Sequence, residues 1–312
     1  MRPWPEPERC STPAANGFMA IAFAIAAAFC FASGAVAVMR GMQHTDIVTA
    51  VLISLSATAL VTATFVIFDP PDTVTVGAIV WFGAAGLLGD GVGRVSFFKA
   101  VELLGPSTTT PIQTASYPLI ALMGGVLLFS ETLVFWQIVG VVAIVAGIWA
   151  VTGRTGSQIQ PEHRPSARQQ WRWAYLLPVV AGVVFASSDL IRKSALEEMP
   201  HPATGAAVAS ITVFVIWAIV AFSVPGIRRE LKPGPGWQWL IATGAFVAFG
   251  LLAVFNALER GDVSVVGPII IAQPLIVVML SMILLRGLER VTSRLVFGAV
   301  ATVLGVTLIA VS

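Results

Sequence analysis

Apolar residues fill long stretches of the chain, each bounded by charged residues, proline or glycine. About 20 apolar residues in a helix cross the roughly 30 Å hydrocarbon core of a bilayer, because each residue adds about 1.5 Å. The stretches do not alternate between apolar and polar positions, which argues against membrane-barrel strands. The pattern therefore predicts an all-α polytopic membrane protein with ten transmembrane helices. The predicted spans are 17–39, 46–68, 74–98, 107–129, 132–152, 173–195, 202–224, 236–258, 263–285 and 292–311.

The composition agrees with this pattern. Of the 312 residues, 57% are hydrophobic and only 11% are charged, whereas a soluble domain has about 25% charged residues. So little charge excludes soluble enzymes and nucleic-acid-binding proteins, and a net charge of +2 is too small to indicate an acidic partner. We expect a multi-pass protein of the inner or plasma membrane, with the lipid bilayer and a small-molecule substrate as partners. A homodimer stays open.

Residue types that build metal or nucleophilic centres are sparse. Cys10 lies in a polar segment and Cys30 in an apolar run, and the three histidines fall in separate connections. The sequence has no HExxH or GxSxG motif and no His–Asp cluster within a span. We therefore expect no cofactor, no metal and no catalytic residue, which leaves an intramembrane enzyme as a weak alternative. A channel is a second alternative, although no symmetric ring of charges is visible.

Short matches recur in the same order in both halves of the chain, at offsets of 154–158 residues. Such self-similarity indicates that the chain is built from two copies of one structural unit. The matches include 31–33 with 185–187, 98–102 with 255–259, Gly140 with Gly298, and Gly147 with Gly305.

The repeat divides the chain into four parts. They are an N-terminal tail (1–16), a first five-helix repeat (17–152), a polar linker (153–172) and a second five-helix repeat (173–312). Because five is odd, the second repeat starts on the opposite side of the membrane, and the two repeats are predicted to be inverted. Inverted repeats suit alternating access to a central site.

The motifs in these units resemble the EamA family of the drug/metabolite transporter superfamily. They are Pro111, Pro118, Glu131 and Gly140 in the first unit and, more loosely, Pro268, Pro274 and Glu289 in the second. The resemblance covers residues 18–311. It implies a ten-helix exporter or permease of small metabolites such as amino acids, with a proton-coupled multidrug exporter as the alternative, and it does not imply a particular substrate.

Charged residues inside apolar spans cost roughly 2.5–3.5 kcal/mol each and persist where they are paired, hydrated or functional. Asp90 and Arg94 lie four residues apart in the third span, so they share one helix face. Asp189 and Arg192 lie three apart in the sixth span, nearer an interface where Arg192 can alternatively snorkel to the headgroups. We predict that these four residues line a substrate cavity or handle a proton. The alternative is a structural pairing between helices.

At the repeat offset, three of these charged positions meet neutral residues. The pairs are Asp189 with Ala35, Arg192 with Val38, and Arg94 with Leu251. A pairing that the fold itself needed would be expected in both repeats, so the asymmetry favours specialisation for a substrate.

Neutral polar residues and prolines complete the candidate set. We predict that Gln113, Tyr117 and Gln273 are hydrogen-bonding contacts in the cavity, with helix–helix hydrogen bonds as an equal alternative. Asn256 is a further candidate, with interfacial anchoring at the end of its helix as the alternative. Proline removes a backbone donor and frees the carbonyl group four residues earlier. Kinked segments of this kind line cavities or bend during gating. The predicted kinks are at Pro111, Pro118, Pro268 and Pro274.

The orientation of the chain stays open. Eleven lysines and arginines lie in connections on the side opposite the N-terminus, against three to five on its own side. The positive-inside rule then places both termini outside the cytoplasm, whereas the family resemblance implies that both lie inside.

Overall fold

The structure is a computed structural model. It describes residues 13–71, 73–116, 135–152, 173–225, 228, 231–260, 269–285, 288 and 292–311. Within these ranges the regular elements are all helices. We number ten of them: α1 (Pro13–Gly41), α2 (Ile47–Phe68), α3 (Val76–Leu104), α4 (106–116), α5 (Phe135–Thr152), α6 (Leu176–Glu198), α7 (Pro202–Ser223), α8 (Trp237–Arg260), α9 (Gln273–Leu284) and α10 (Ser293–Val311).

Five stretches of the described chain are long and apolar enough, by length and composition, to cross a membrane. They are Gly17–Gly41, Ile47–Phe68, Val76–Leu104, Pro202–Ser223 and Trp237–Val254. Shorter apolar helices cover Ile138–Ala150, Leu176–Asp189, Ile269–Leu284 and Ser293–Leu308. Large apolar side chains such as Phe18, Leu60, Phe68 and Trp149 are exposed on these helices. The outer surface therefore requires an apolar solvent, as the lipid-facing surface of a membrane protein does.

Local sequence sets several helix ends. The Asp46 carboxylate caps α2 by accepting hydrogen bonds from the backbone N–H groups of Val48 (2.8 Å) and Thr49 (3.1 Å). The Thr75 hydroxyl caps α3 in the same way. Gly105 separates α3 from α4 with a φ of 81°, which favours glycine because a Cβ is strained there.

The contacts between helices follow the repeat. If each helix is replaced by its counterpart in the other half (α1 by α6, α2 by α7, α3 by α8, α5 by α10), one contacting pair becomes another. α1 packs against α8 as α6 packs against α3, and α2 contacts α8 as α7 contacts α3. α2 packs against α7, and α5 packs against α10, so these two pairs map onto themselves. The packing therefore has the same repeat as the sequence matches.

Glycines in α5 and α10 show the same correspondence between the two halves at single residues. A Cβ placed on Gly147 would lie 2.8 Å from the carbonyl oxygen of Gly298, and a Cβ on Gly305 would lie 2.6 Å from the carbonyl oxygen of Gly140. These are the residues that the sequence offset matches, now in reciprocal contact. The two backbones approach so closely because neither glycine has a side chain.

A second reciprocal contact joins α3 to α6 and α8 to α1. A Cβ on Gly93 would lie 2.9 Å from the ring of Phe185, and a Cβ on Gly250 would lie 2.8 Å from the ring of Phe31. Phe31 and Phe185 are again matched by the sequence offset. Each half of the chain therefore buries its aromatic ring against a glycine of the other half.

Two predicted helices differ from the structure. α3 continues to Leu104 instead of ending at residue 98, because Val101 and Leu104 are buried against the rest of the protein. Lys99 and Glu102 form an ion pair on this last part of the helix, with an Nζ–Oε2 distance of 2.7 Å. The predicted ninth span is interrupted by a turn at Ala272, and helix resumes at Gln273. Pro274 therefore lies in the first turn of α9, where its missing N–H leaves no helical hydrogen bond unmade.

Candidate functional site

The middle of α3 departs from α-helical geometry. Residues Leu87–Gly93 form a π-helical turn with glycines on both sides of Asp90. Glycine stabilises an α-helix poorly, and π-turns recur at functional sites. A Cβ on Gly89 would lie 2.6 Å from the hydroxyl oxygen of Ser188, which itself donates to the Ala85 carbonyl at 2.7 Å. The π-turn is therefore also a place where α6 approaches α3 closely.

Asp90 lies between two arginines. Its Oδ1 accepts a hydrogen bond from Nη2 of Arg94 at 2.5 Å, and its Oδ2 accepts one from Nη2 of Arg192 at 3.0 Å. The Asp90 side chain is 9% exposed, so the carboxylate depends on these partners rather than on water. Because Arg192 belongs to α6, the second ion pair joins the two halves of the chain.

Arg94 is held on its other side by α2. Its Nη1 donates to the hydroxyl of Thr58 at 3.2 Å and to that of Ser54 at 3.4 Å. The Thr58 hydroxyl in turn donates to the Gly244 carbonyl oxygen in α8 at 3.1 Å. The Arg94 side chain is 5% exposed. Ser54 and Thr58 were not among the residues predicted from the sequence.

Asp189 has a looser environment. Its Oδ1 lies 3.4 Å from Nη1 of Arg192, which is long for a hydrogen bond, and its side chain is 55% exposed. The suggestion that Arg192 snorkels to the headgroups is wrong, since its guanidinium turns inward to Asp90. The physical reason is that the buried Asp90 carboxylate attracts Arg192 more strongly than a water-exposed group would.

The charges of the four side chains in this network sum to zero. Two guanidiniums and two carboxylates form a chain in the order Arg94, Asp90, Arg192, Asp189. A buried charge without a partner is costly, whereas this arrangement is neutral as a whole. Removing any one member leaves a net charge at the interface between the halves.

A small cavity adjoins this network. Its volume of about 10 Å³ is enough for about one water molecule. It lies between helices of both halves, because its walls include Thr58 of α2, Asp90 of α3, Arg192 of α6, Gly205 of α7 and Leu251 of α8. Of the four charged residues predicted to line a substrate cavity or handle a proton, Asp90 and Arg192 are among the described walls of this cavity, and Arg94 and Asp189 are not.

Comparison with known proteins now adds the family. The sequence model of the EamA-like transporter family matches residues 18–153 and 172–311. The chain belongs to the EamA-like transporter family. This family is part of the drug/metabolite transporter superfamily, and its members are transporters rather than enzymes. The family predicted from the proline and glutamate motifs is thus confirmed, and the chain is a multi-pass membrane protein.

Solved structures confirm the fold of this EamA-family protein. One of them, described only as "Crystal structure of protein", has a TM-score of 0.63 and covers 93% of this chain and 97% of its own. At 16% identity the likeness concerns the fold alone. Among curated proteins, none matches.

The other predicted residues of this EamA-family chain lie away from the cavity or outside the described residues. Asn256 donates from Nδ2 to the Leu252 carbonyl at 2.8 Å, within its own helix. The described cavity walls do not include Gln113, Asn256, Gln273, Pro111 or Pro274. Tyr117, Pro118 and Pro268 lie outside the described residues.

A polar stripe on α2 is the feature that sequence reasoning missed. Ser54, Thr58 and Thr62 follow each other at four-residue spacing in an otherwise apolar span, and therefore share one face. Thr62 lies 3.3 Å from the hydroxyl of Ser210 in α7. The spacing of these hydroxyls is the signal that predicts an inward-facing polar surface.

Among the described residues, no group of three or more His, Cys, Asp or Glu side chains is placed to hold a metal ion.

Proposed function

We propose that this EamA-family protein is a secondary transporter that moves small metabolites across the cell membrane by alternating access. The observation that carries the proposal is the Asp90–Arg192 ion pair, which joins the two halves of the chain at the wall of a buried cavity. A site shared by two halves can open toward either face of the membrane when the halves rock against each other.

The repeat supports this mechanism. Under this proposal the ten helices are ten membrane spans, and five spans in each unit turn the second unit upside down relative to the first. The reciprocal contacts of Gly147 with Gly298 and of Gly305 with Gly140 fit a two-fold axis between the two units, because each contact has a symmetry-related counterpart. Two equivalent packings of one set of contacts are the physical basis of a two-state transporter.

The charged network then has a role in the transport cycle. With room for about one water, the cavity corresponds to a closed arrangement, and a metabolite requires the halves to separate. Separation breaks the 3.0 Å contact between Arg192 and Asp90. A bound substrate or entering water must replace that contact, which couples occupancy of the site to opening. Asp90, Arg94, Asp189 and Arg192 are the residues we assign to substrate or proton coupling.

The test is flux in liposomes that contain the purified protein and a panel of amino acids, carboxylates, amines and sugars. We expect saturable flux of at least one compound, and a loss of at least tenfold in Asp90→Asn and Arg192→Gln. Lys99→Gln and Glu102→Gln are matched controls, because these residues form an ion pair on the same helix with side chains 43% and 39% exposed. These controls should keep the rate of the unaltered protein.

A channel gives a different result in the same membranes. Unitary conductance steps in a planar bilayer, with flux that does not saturate, would contradict alternating access. Flux that is equal in Asp90→Asn and Glu102→Gln would leave a transporter but remove the charged network from its mechanism.

A further inference from the structure

Contacts between the two halves of the chain close both ends of the helix bundle. At the end where α1 finishes, a Cβ on Gly234, shortly before α8, would lie 2.2 Å from the His44 carbonyl oxygen. At the other end, where α3 begins, a Cβ on Gly77 would lie 2.6 Å from Oε2 of Glu198 in α6. The repeat offsets match Gly234 with Gly77 and His44 with Glu198. We name the first contact the distal closure and the second the proximal closure.

The distal closure is reinforced by Arg40 and by a hydrophobic core. The Arg40 guanidinium donates to the Leu284 carbonyl in α9, and its Cζ lies 5.0 Å from the centroid of the Trp239 ring in α8. Beneath these contacts, the last turns of α1 and α3 and the first turns of α2 and α8 bury apolar side chains against one another. The cluster includes Met39, Val51, Leu55, Phe98, Val101 and Leu240. Opening this end exposes all of that apolar surface, which is costly.

A cavity lies behind the proximal closure. The walls that Asp90 and Arg192 share with Phe82 and Pro202 extend from the charged network to the first residue of α7. The apolar cluster at this end is small. Among the described residues it has four buried members (Ala78, Phe82, Ala195 and Met199), against fifteen in the distal cluster. Less apolar surface must therefore be separated to open the proximal end than the distal end.

An ion pair at the proximal end depends on pH. His201, just before α7, has its Nε2 3.5 Å from Oδ2 of Asp69 at the end of α2. Its Nδ1 lies 2.9 Å from the Thr204 hydroxyl, which orients the ring. Histidine changes charge between about pH 5 and 8, so His201 attracts the Asp69 carboxylate at acidic pH and ceases to do so as the pH rises. Glu198 is a second acidic group at this closure.

We propose that the site opens first toward the proximal end, and that His201 and Asp69 form a gate there which a rise in pH releases. This proposal rests on the proposed transport function and adds the route and the regulation of its site. The distal closure does not respond in the same way, because an arginine such as Arg40 stays charged across this range. The gate has the strength of a surface ion pair, which changes the population of the open state about two- to fivefold.

The test measures how fast a membrane-impermeant methanethiosulfonate reagent modifies single cysteines in purified protein in lipid nanodiscs. Cys10→Ala and Cys30→Ala provide the background. Ala206→Cys reports on the proximal side, because Ala206 lines the cavity one turn into α7. Ala50→Cys is the matched control, because Ala50 lies one turn into α2 and is buried in the distal cluster. We expect Ala206→Cys to react roughly tenfold faster than Ala50→Cys at about pH 8.

Asp69→Asn, added to Ala206→Cys, tests the gate itself. Rates with and without Asp69→Asn are compared at the same pH, which removes the effect of thiol ionisation. The substitution should raise the rate about two- to fivefold at about pH 5.5 and change it little at about pH 8. His201→Gln should have the same effect. Glu102→Gln removes an acidic group of a half-exposed ion pair near the distal end of α3 and should change neither rate.

Two results would overturn the proposal. One is a reaction of Ala206→Cys that is no faster than that of Ala50→Cys, and the other is an effect of Asp69→Asn that is the same at both pH values. Flux in liposomes tests transport separately. Flux without these differences would retain transport and contradict the gate, whereas these differences without flux of any compound would retain the gate and contradict transport.

Discussion

Asp90→Asn is the most informative single substitution in the charged network. Asparagine has the shape of aspartate and can still accept one hydrogen bond through its Oδ1, so the packing around residue 90 is preserved. The substitution removes the negative charge between Arg94 and Arg192. The network then holds two guanidiniums and one carboxylate, and a net positive charge is left at a site where Asp90 is 9% exposed.

The structure gives a magnitude for this change. Removing one partner of a buried ion pair costs about 3–5 kcal/mol, because the remaining charge is left without compensation. Arg94 keeps its contacts to Ser54 and Thr58, and Arg192 keeps its contact to Asp189. We therefore expect the lower end of the range, about 3 kcal/mol. Glu102→Gln on the same helix removes one charge of an exposed pair and should cost about 0–1 kcal/mol.

The assay is unfolding by SDS titration in mixed micelles, followed by circular dichroism, for both variants. Adding Arg192→Gln to Asp90→Asn restores a neutral network, so the double variant should be less destabilised than the sum of the single changes. The expected coupling is about 1–3 kcal/mol. Equal free energies of unfolding for Asp90→Asn and Glu102→Gln, or additive effects in the double variant, would refute the reasoning.

Two further substitutions test the contacts around the network and between the halves. Thr58→Val removes the hydroxyl between Arg94 and the Gly244 carbonyl and should cost about 1–3 kcal/mol in the same titration. Its control is Thr64→Val, which should change little, because Thr64 is an exposed threonine of α2 bonded to its own helix. Equal effects of the two substitutions would contradict the inward role of Thr58. Gly147→Ala places a Cβ 2.8 Å from the Gly298 carbonyl oxygen and should cost about 1–3 kcal/mol. Gly17→Ala is its control, because a Cβ there meets nothing within 4 Å, and an equal loss in both would show that α5 and α10 do not depend on close approach.

The sequence predicted much of this fold because apolar stretches and repeat offsets are properties of the chain itself. The offset matched Gly140 with Gly298 and Gly147 with Gly305 before their reciprocal contact was visible. The continuation of α3 to Leu104 was not predicted, because the charged residues Lys99 and Glu102 interrupt the apolar pattern there, whereas Val101 and Leu104 are buried and the two charged side chains pair.

The sequence predicted the part of the site that depends on spacing within one helix. The pairing of Asp90 with Arg94 follows from spacing within one helix, and the structure has it at 2.5 Å. The contact between Asp90 and Arg192 joins residues 102 positions apart, so it depends on how α3 packs against α6. Spacing within α6 also places Asp189 beside Arg192, and the structure has the two side chains 3.4 Å apart.

Cross-linking across the cavity wall is the most direct test of alternating access around this site. Phe82→Cys in α3 and Gly205→Cys in α7 face each other, since a Cβ on Gly205 would contact the Phe82 ring. In a background with Cys10→Ala and Cys30→Ala, a short thiol-cleavable cross-linker should join the two cysteines and stop flux in liposomes, and reduction should restore it. Full flux through a protein whose cross-link is complete would contradict the account.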